Sequence, residues 1–342
     1  MILPVLAVLA ILCLWRIRFT KTNPDYISLD GSNAIKGVFA VIILCSHMGG
    51  YLTLSDSLAD RTYTHMIFYL GQTMVAPYLF YSGYGLFFSF RHKPGYVSSF
   101  FKKRFLKILL HFDLAILLFL IVQAFLPIRY PVQNYLLCWI GWESIGNSNW
   151  FVFVILSLYL ITFCGLLLER RNGPTLIAIV CLFSATLWLV LHFVAHKENW
   201  WIDTIAAFPL GMLFGASKDS IDTLLSRYRG LWLVMIVCLS TAFVFWHHLH
   251  GVDIYGICSC LFCLIVILAS MKIKIGNPAL QWLGKNAFPI YILQRLPMLV
   301  LSHFGFNLQP GIFIPVSIIV TLLLAWGFTS LTTRIDQKVF NV

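Results

Sequence analysis

Apolar residues run along most of this chain in long stretches, separated by short polar or basic clusters. A helix needs about 20 apolar residues, each rising 1.5 Å, to cross a ~30 Å hydrocarbon core. That length scale picks out eleven windows. They are Ile2 to Trp15, Ala34 to Leu54, Met66 to Phe90, Phe105 to Leu126, Trp150 to Leu168, Thr175 to Ala195, Trp201 to Ala216, Leu231 to Leu249, Val252 to Met271, Ala287 to Ser302 and Gly311 to Leu331. The first, seventh and tenth are short. The pattern predicts an all-α polytopic membrane bundle of about eleven transmembrane helices. Two longer polar stretches interrupt it: Arg91 to Lys107, reading RHKPGYVSSFFKKRFLK, and Pro127 to Asn149, whose Trp139 and Trp142, with Trp150 beyond, suit a membrane interface.

Composition agrees. Of 342 residues, 60% are hydrophobic and 11% charged, with a mean hydropathy of +0.85. Soluble domains carry roughly 25% charged residues, so this chain lacks the charge to coat a surface in water. The apolar content excludes disordered and collagen-like chains, and nine cysteines are too few for a disulfide scaffold.

The net charge of +11 is sorted rather than spread. With the N-terminus outside and each window reversing direction, 20 of the 24 Lys and Arg residues fall on the inner side, and only Arg61, Arg129, Lys197 and Arg295 on the outer. Short cytoplasmic loops are enriched in positive residues, so the expectation is a multi-pass protein of the inner, cytoplasmic membrane with its C-terminus inside. The positive charge then reports orientation, and no nucleic-acid partner is needed to explain it. The first window has no basic residue before it and no small-residue cleavage site, so it reads as a retained helix rather than a signal peptide. Cys258, Cys260 and Cys263 are spaced like metal ligands but lie in an apolar window without His or carboxylate beside them, so packing is the expected role and no metal is expected.

Ionisable side chains within a bilayer are costly and mark function by default. The sharpest case is His47, in NAIKGVFAVIILCSHMGGY. Lys36 precedes it by eleven residues, about three helical turns, so the two side chains share one face at a rise of about 16 Å. With Lys36 at the inner surface, such a pair can hold a long molecule by an anionic head and act on its far end within the membrane.

Lys-x10-His at a helix start closely resembles the signature of the acyltransferase-3 family, integral membrane enzymes that acylate sugars and other envelope molecules. Further stretches agree in order. Phe80-Tyr81-Ser82-Gly83-Tyr84-Gly85-Leu86 resembles the family's Phe-x-Ser-Gly-Phe segment, and Lys103-Arg104-Phe105-Leu106-Lys107 its inner Arg-x-x-Arg motif. Asn149-Trp150-Phe151 is similar to the Trp-Phe that opens a later helix. Leu283-Gly284-Lys285 with Ile290-Tyr291-Ile292-Leu293 resembles its C-terminal Gly-Lys and Tyr-Leu-x-His stretch. Two positions depart from the pattern: Gln294 stands where the family often has His, and Lys107 replaces Arg, keeping the charge but losing bidentate phosphate recognition. The resemblance spans about Asn33 to Leu331. It divides the chain into an N-terminal helix and inner loop (1–32), a ten-helix acyltransferase domain (33–331) and a short inner tail (332–342). No fused soluble transferase domain is expected after it.

The resemblance implies transfer of an acetyl or other small acyl group from cytoplasmic acyl-CoA to a hydroxyl of a cell-surface or lipid-linked glycan. Acyl-CoA enters as co-substrate, without a bound cofactor, and a separate extracytoplasmic transferase is a candidate partner. The physical reading fits: Lys36, Lys103, Arg104 and Lys107, with Lys102, form the densest basic cluster on the donor's side. Ordinary inner-face enrichment explains those charges though not their density. His47 is the expected general base, taking the acceptor's proton and returning it to the departing thiolate. Neighbouring helical residues point about 100° apart, so Ser46 and Cys45 are poorly placed as nucleophiles activated by His47, and direct attack is expected. Ser82, Glu143, Trp150 and Arg295 are candidates for orienting the acceptor, with packing, a solvated loop carboxylate and snorkelling as their plainer alternatives. His111 and Asp113 pair within the bundle in the simplest reading. His192, His196, His247, His248 and His250 gather towards the outer surface. The competing class is a transporter or flippase of lipid-linked saccharide, which would line a continuous polar path through several helices.

Overall fold

Caps and prolines, more than hydropathy, decide where the helices begin and end. The computed structural model describes residues 2–54, 57–169, 173–228, 230–249 and 252–340. Arg170, Arg171 and Arg229, three of the twenty basic residues expected on the inner side, and His250 lie outside the described residues. Helix α1 (Ile2–Leu14) leads into strand β1 (Ile17–Phe19). Helix α2 (Leu29–Gly49) starts ahead of its apolar window because the Ser28 hydroxyl accepts the Gly31 N–H at 3.2 Å and Asp30 sits in the first turn, where the helix dipole favours an acid. The single span expected over Met66 to Phe90 is two helices, α3 (Leu58–Leu70) and α4 (Ala76–His92). Gly71 and a 3-10 turn at Gln72–Met74 part them, and Pro77 occupies the first turn of α4, where its missing N–H is harmless.

The basic stretch expected as a loop is largely helical. Helix α5 (Tyr96–Phe100), a π-helical turn (Phe101–Leu106) and α6 (Lys107–Phe125) form one continuous run, in which the Lys107 N–H reaches back five residues to the Lys102 carbonyl. The outer stretch holds α7 (Val132–Leu137) and a 3-10 turn at Cys138–Ile140 that packs against α6. Helix α8 (Trp150–Leu168) keeps the bounds of its window, and α9 (Gly173–Leu189) ends in a second π turn. Helix α10 (Ala207–Arg227) is displaced from the window at Trp201 to Ala216. Its second half is too polar for a hydropathy window but stays helical, with Lys218 bonded to Asp222 at 2.6 Å one turn on and Tyr26 donating to the same carboxylate at 2.8 Å.

Helices α11 (Leu231–His247) and α12 (Val252–Ser270) precede strand β2 (Ile273–Ile275), which pairs antiparallel with β1. Asn23 donates to the Ser270 carbonyl and Asn277 to that of Leu12, fastening α1 to the body. Helix α13 (Pro278–Lys285), capped by Asn277, was invisible to the apolar window. The span expected over Ala287 to Ser302 is α14 (Ala287–Leu293) and α15 (Arg295–His303). Pro297 has no N–H to offer the Leu293 carbonyl, so the helix breaks at Gln294. Helix α16 (Pro310–Phe340) runs 31 residues and continues well past Leu331.

The class is therefore an all-α membrane bundle, with one two-stranded ribbon. By length and composition, five described helices can cross a membrane: α2, the α5 to α6 run, α8, α9 with its π turn, and α16; a sixth is added if the sharply bent pair α10 and α11 counts as one. Eleven crossings are thus not reproduced: three of the expected spans are broken or displaced, and α1, α11 and the apolar part of α12 are each shorter than the 18 residues taken for a crossing. Rows of exposed apolar side chains, such as Leu233, Val234, Val237 and Val244 on α11 and Ile319, Leu323 and Trp326 on α16, belong against lipid.

Two antiparallel crossings hold the centre, each made by a reciprocal pair of glycines. Gly37 of α2 lies against the Leu280 backbone of α13 while Gly284 lies against Asn33, and a Cβ at either would overlap the facing carbonyl oxygen. Gly83 of α4 faces Phe208 of α10 while Gly211 faces Phe80 in the same way. Gly85, on the same helix, has open space around it. Gly83→Ala should therefore lower stability by about 1–3 kcal/mol in thermal unfolding in detergent, and Gly85→Ala should not. Equal melting temperatures for the two variants would show that the crossing is not tight.

Candidate active site

Lys36 and His47 lie on one uninterrupted face of α2, and everything else in the site is arranged along that face. At the N-terminal end of that face, the Lys36 ammonium sits 5.9 Å from the Tyr81 ring centroid, and Tyr78 donates to the Lys36 carbonyl at 2.5 Å. Arg104, in the π turn, lies within electrostatic reach of Lys36 and between the hydroxyls of Tyr96 and Tyr159. Ser82 is bonded to the Tyr159 hydroxyl at 2.5 Å, which places it in the surroundings of Arg104. Lys102 and Lys103 are exposed.

The basic cluster is not a single unit. Lys107 forms an ion pair with Asp336 at 2.7 Å, and His111 approaches the other oxygen of that carboxylate at 2.9 Å. The widened π turn is the reason: a backbone bonding five residues back does not stack residues three apart, so Arg104 turns to Lys36 and Lys107 to α16. His111 thus pairs with Asp336 and not with Asp113, whose Oδ1 is buried without a partner.

An apolar crevice, partly open, lies between the two ends. Ala40 and Ile43, spaced between Lys36 and His47 on the same face of α2, form one wall; Tyr78, Phe151, Phe288 and Tyr291 supply the aromatic part of the others.

At the C-terminal end of that face the His47 ring lies 6.0 Å from that of Tyr291, centroid to centroid. Tyr291 in turn packs edge-on against Phe151 at 5.5 Å, and Trp150 stands against Phe151 at 5.9 Å. Arg295 lies within electrostatic reach of His47, Tyr51, Tyr130 and Tyr291. Four polar atoms of this group are buried without a hydrogen-bond partner: His47 Nδ1, the Tyr291 hydroxyl, Gln294 Oε1 and Arg295 Nε. An unmet buried polar group costs about 1–3 kcal/mol, so their convergence points to a molecule that completes them.

Glu143 stands apart. It accepts from Lys197 at 3.2 Å, and Lys197 is boxed by the Trp142 and Trp201 rings at 4.2 and 4.7 Å, a clamp between the outer stretch and the segment before α10. Among the described residues no group of three or more His, Cys, Asp or Glu is arranged to hold a metal ion. The chain thus brings Lys36 to Arg104 and His47 to Arg295, while Lys107, Glu143 and Ser82 are engaged by Asp336, Lys197 and Tyr159. Tyr291 stands in the C-terminal stretch that resembles the family motif but has no role assigned from sequence; among 14 tyrosines, only three-dimensional placement singles out Tyr159, Tyr51 and Tyr130.

Fold and site together describe a polytopic membrane protein with a buried polar centre at the end of an apolar crevice. Residues 29–330 match a family model described as acyltransferase domain, of the acyltransferase-3 type, and the chain belongs to that family of membrane acyltransferases. No curated protein and no solved structure shows significant similarity to it.

Because Asp336 is almost fully buried between Lys107 and His111, its neutralisation leaves Lys107 without its counter-charge. Asp336→Asn should lower stability by about 1–3 kcal/mol, read as a fall in melting temperature. An unshifted melt would mean that the pair contributes nothing.

Proposed function

We propose that the protein transfers an acetyl or other short acyl group from acyl-CoA to a hydroxyl of an envelope or lipid-linked glycan. The observation that carries this reading is the crevice along α2, whose wall at Ala40 and Ile43 lies between the cations Lys36 and Arg104 and the His47 ring on the same helix face. A CoA thioester has the matching shape: phosphates at one end, a narrow arm, and a reactive carbonyl at the other. The phosphates meet Lys36, Arg104 and the exposed Lys103, while Lys107 contributes less because Asp336 already compensates it. The arm lies in the crevice and brings the thioester to His47.

His47 then acts as general base. Its imidazole takes the proton of the acceptor hydroxyl as that oxygen attacks the thioester carbon, and returns it to the thiolate as the carbon–sulfur bond breaks. The acceptor approaches past Arg295, Tyr51 and Tyr130, with Trp150 at the margin. The largely apolar lining of the crevice counts against a flippase, since a sugar path needs polar groups along its length. The same site serves if the acyl group is passed to a separate extracytoplasmic transferase.

His47→Ala should reduce release of free thiol from acetyl-CoA by at least ~10²-fold while the purified protein keeps its melting temperature. Turnover near the wild-type rate would exclude the base assignment. Arg104→Ala should raise the donor KM by about tenfold, the loss of one charge-assisted contact, with kcat little changed; an unaltered donor KM would remove Arg104 from the donor site.

A further inference from the structure

The outer end of the crevice contains more hydrogen-bond donors than a base and an acceptor hydroxyl require. Helix α8 begins there without a side-chain cap. Its first backbone bonds run from Val152 and Phe153 to the Asn149 carbonyl, so the N–H groups of Trp150 and Phe151 have no acceptor within the helix. The Tyr291 hydroxyl faces the Phe151 N–H and the Ser148 hydroxyl. Tyr291 is 9% exposed and Ser148 4%, and neither hydroxyl completes a hydrogen bond. Arg295, whose Nε is likewise unmet, adds a positive charge within reach of the same tyrosine. Uncapped N–H groups, two buried hydroxyls and a guanidinium are all donors, and donors converging on an empty position suit a negative oxygen.

We propose that the Tyr291 and Ser148 hydroxyls, backed by the N-terminus of α8, form the oxyanion site of the transfer reaction, beside His47. The inference rests on the reading of His47 as the base for acyl transfer. As the acceptor oxygen bonds to the thioester carbon and its proton passes to His47, the carbonyl π electrons move onto the carbonyl oxygen. That oxyanion lies on the Tyr291 and Ser148 hydroxyls. When the carbonyl re-forms, the carbon–sulfur bond breaks, the electron pair leaves on sulfur, and the imidazolium proton goes with it. The ring of Tyr291 lies beside that of His47, so base and oxyanion donor attend one carbon. The arrangement gives the Trp150-Phe151 pair a backbone role: it opens the helix whose Phe151 N–H backs the Tyr291 hydroxyl that donates to the oxyanion.

The test uses the full chain in detergent, with acetyl-CoA and isolated envelope glycans, reading kcat and donor KM by thiol release. Tyr291→Phe keeps the ring and removes only the hydroxyl. It should lower kcat about 10²-fold, with donor KM within about twofold. Ser148→Ala should lower kcat about tenfold with the same split, and decides the question if Tyr291→Phe does not fold. Wild-type kcat in a folded variant, or a loss confined to KM, overturns the oxyanion site while leaving His47 as base. Wild-type protein whose thiol release does not depend on His47 overturns the underlying reading, a separate result.

Discussion

The close crossing of α2 and α13 is the constraint on which the site depends. Gly37 and Gly284 let two backbones approach until there is no room for a side chain at either position. That contact sends α13 antiparallel along the inner part of α2, so the chain must turn at Asn286 and return outward as α14. Asn286 is held at the turn by Thr329 of α16, which donates to its side-chain oxygen at 2.8 Å. The returning helix delivers Tyr291 to His47 and leaves the crevice between itself and α2. Lipid tails offer no hydrophobic drive for two apolar helices to meet, so small residues and close backbone packing set the geometry. The Gly-Lys stretch that resembles the family motif thus has a physical role through its glycine, which seats the helix that positions the tyrosine.

A second consequence concerns polar groups. In a chain with 11% charged residues, some polar groups are paired, as Asp336 is by Lys107 and His111 and Glu143 by Lys197. Unmet buried polar atoms occur at several places in the bundle, Asp113 and Asp203 among them, and those of His47, Ser148, Tyr291, Gln294 and Arg295 fall around one end of the crevice. Each orphaned group lowers stability, so a polar molecule that supplied the missing hydrogen bonds at that end would be bound favourably.

Much of this was legible in the sequence, and the remainder has definite causes. Apolar length predicted α8 closely because nothing inside Trp150 to Leu168 breaks a helix. It failed at α3 and α4, and at α14 and α15, where Gly71 and Pro297 interrupt backbone bonding within stretches that remain apolar. It also missed α13 and the polar half of α10, which are stabilised by a cap and by ion pairs that hydropathy does not weigh. The Lys36 to His47 face was readable because helical periodicity fixes it. Tyr291 and Ser148 were not, since they reach His47 only through the turn at Asn286 and the entry to α8.

The basic cluster shows why local spacing misleads at an irregular backbone. In a regular α-helix Arg104 and Lys107, three residues apart, would share a face and grip one phosphate group together. The π turn at Phe101–Leu106 divides them. Arg104 is carried into the bundle against Lys36, a juxtaposition of two cations that only an anion makes favourable, while Lys107 locks α6 to the end of α16. One charge is thereby left facing Lys36 without an acidic partner in its described contacts, and the other is committed to the scaffold. The same division explains why the last helix stays ordered beyond its apolar part: Asp336 holds the far side of the turn that presents Arg104.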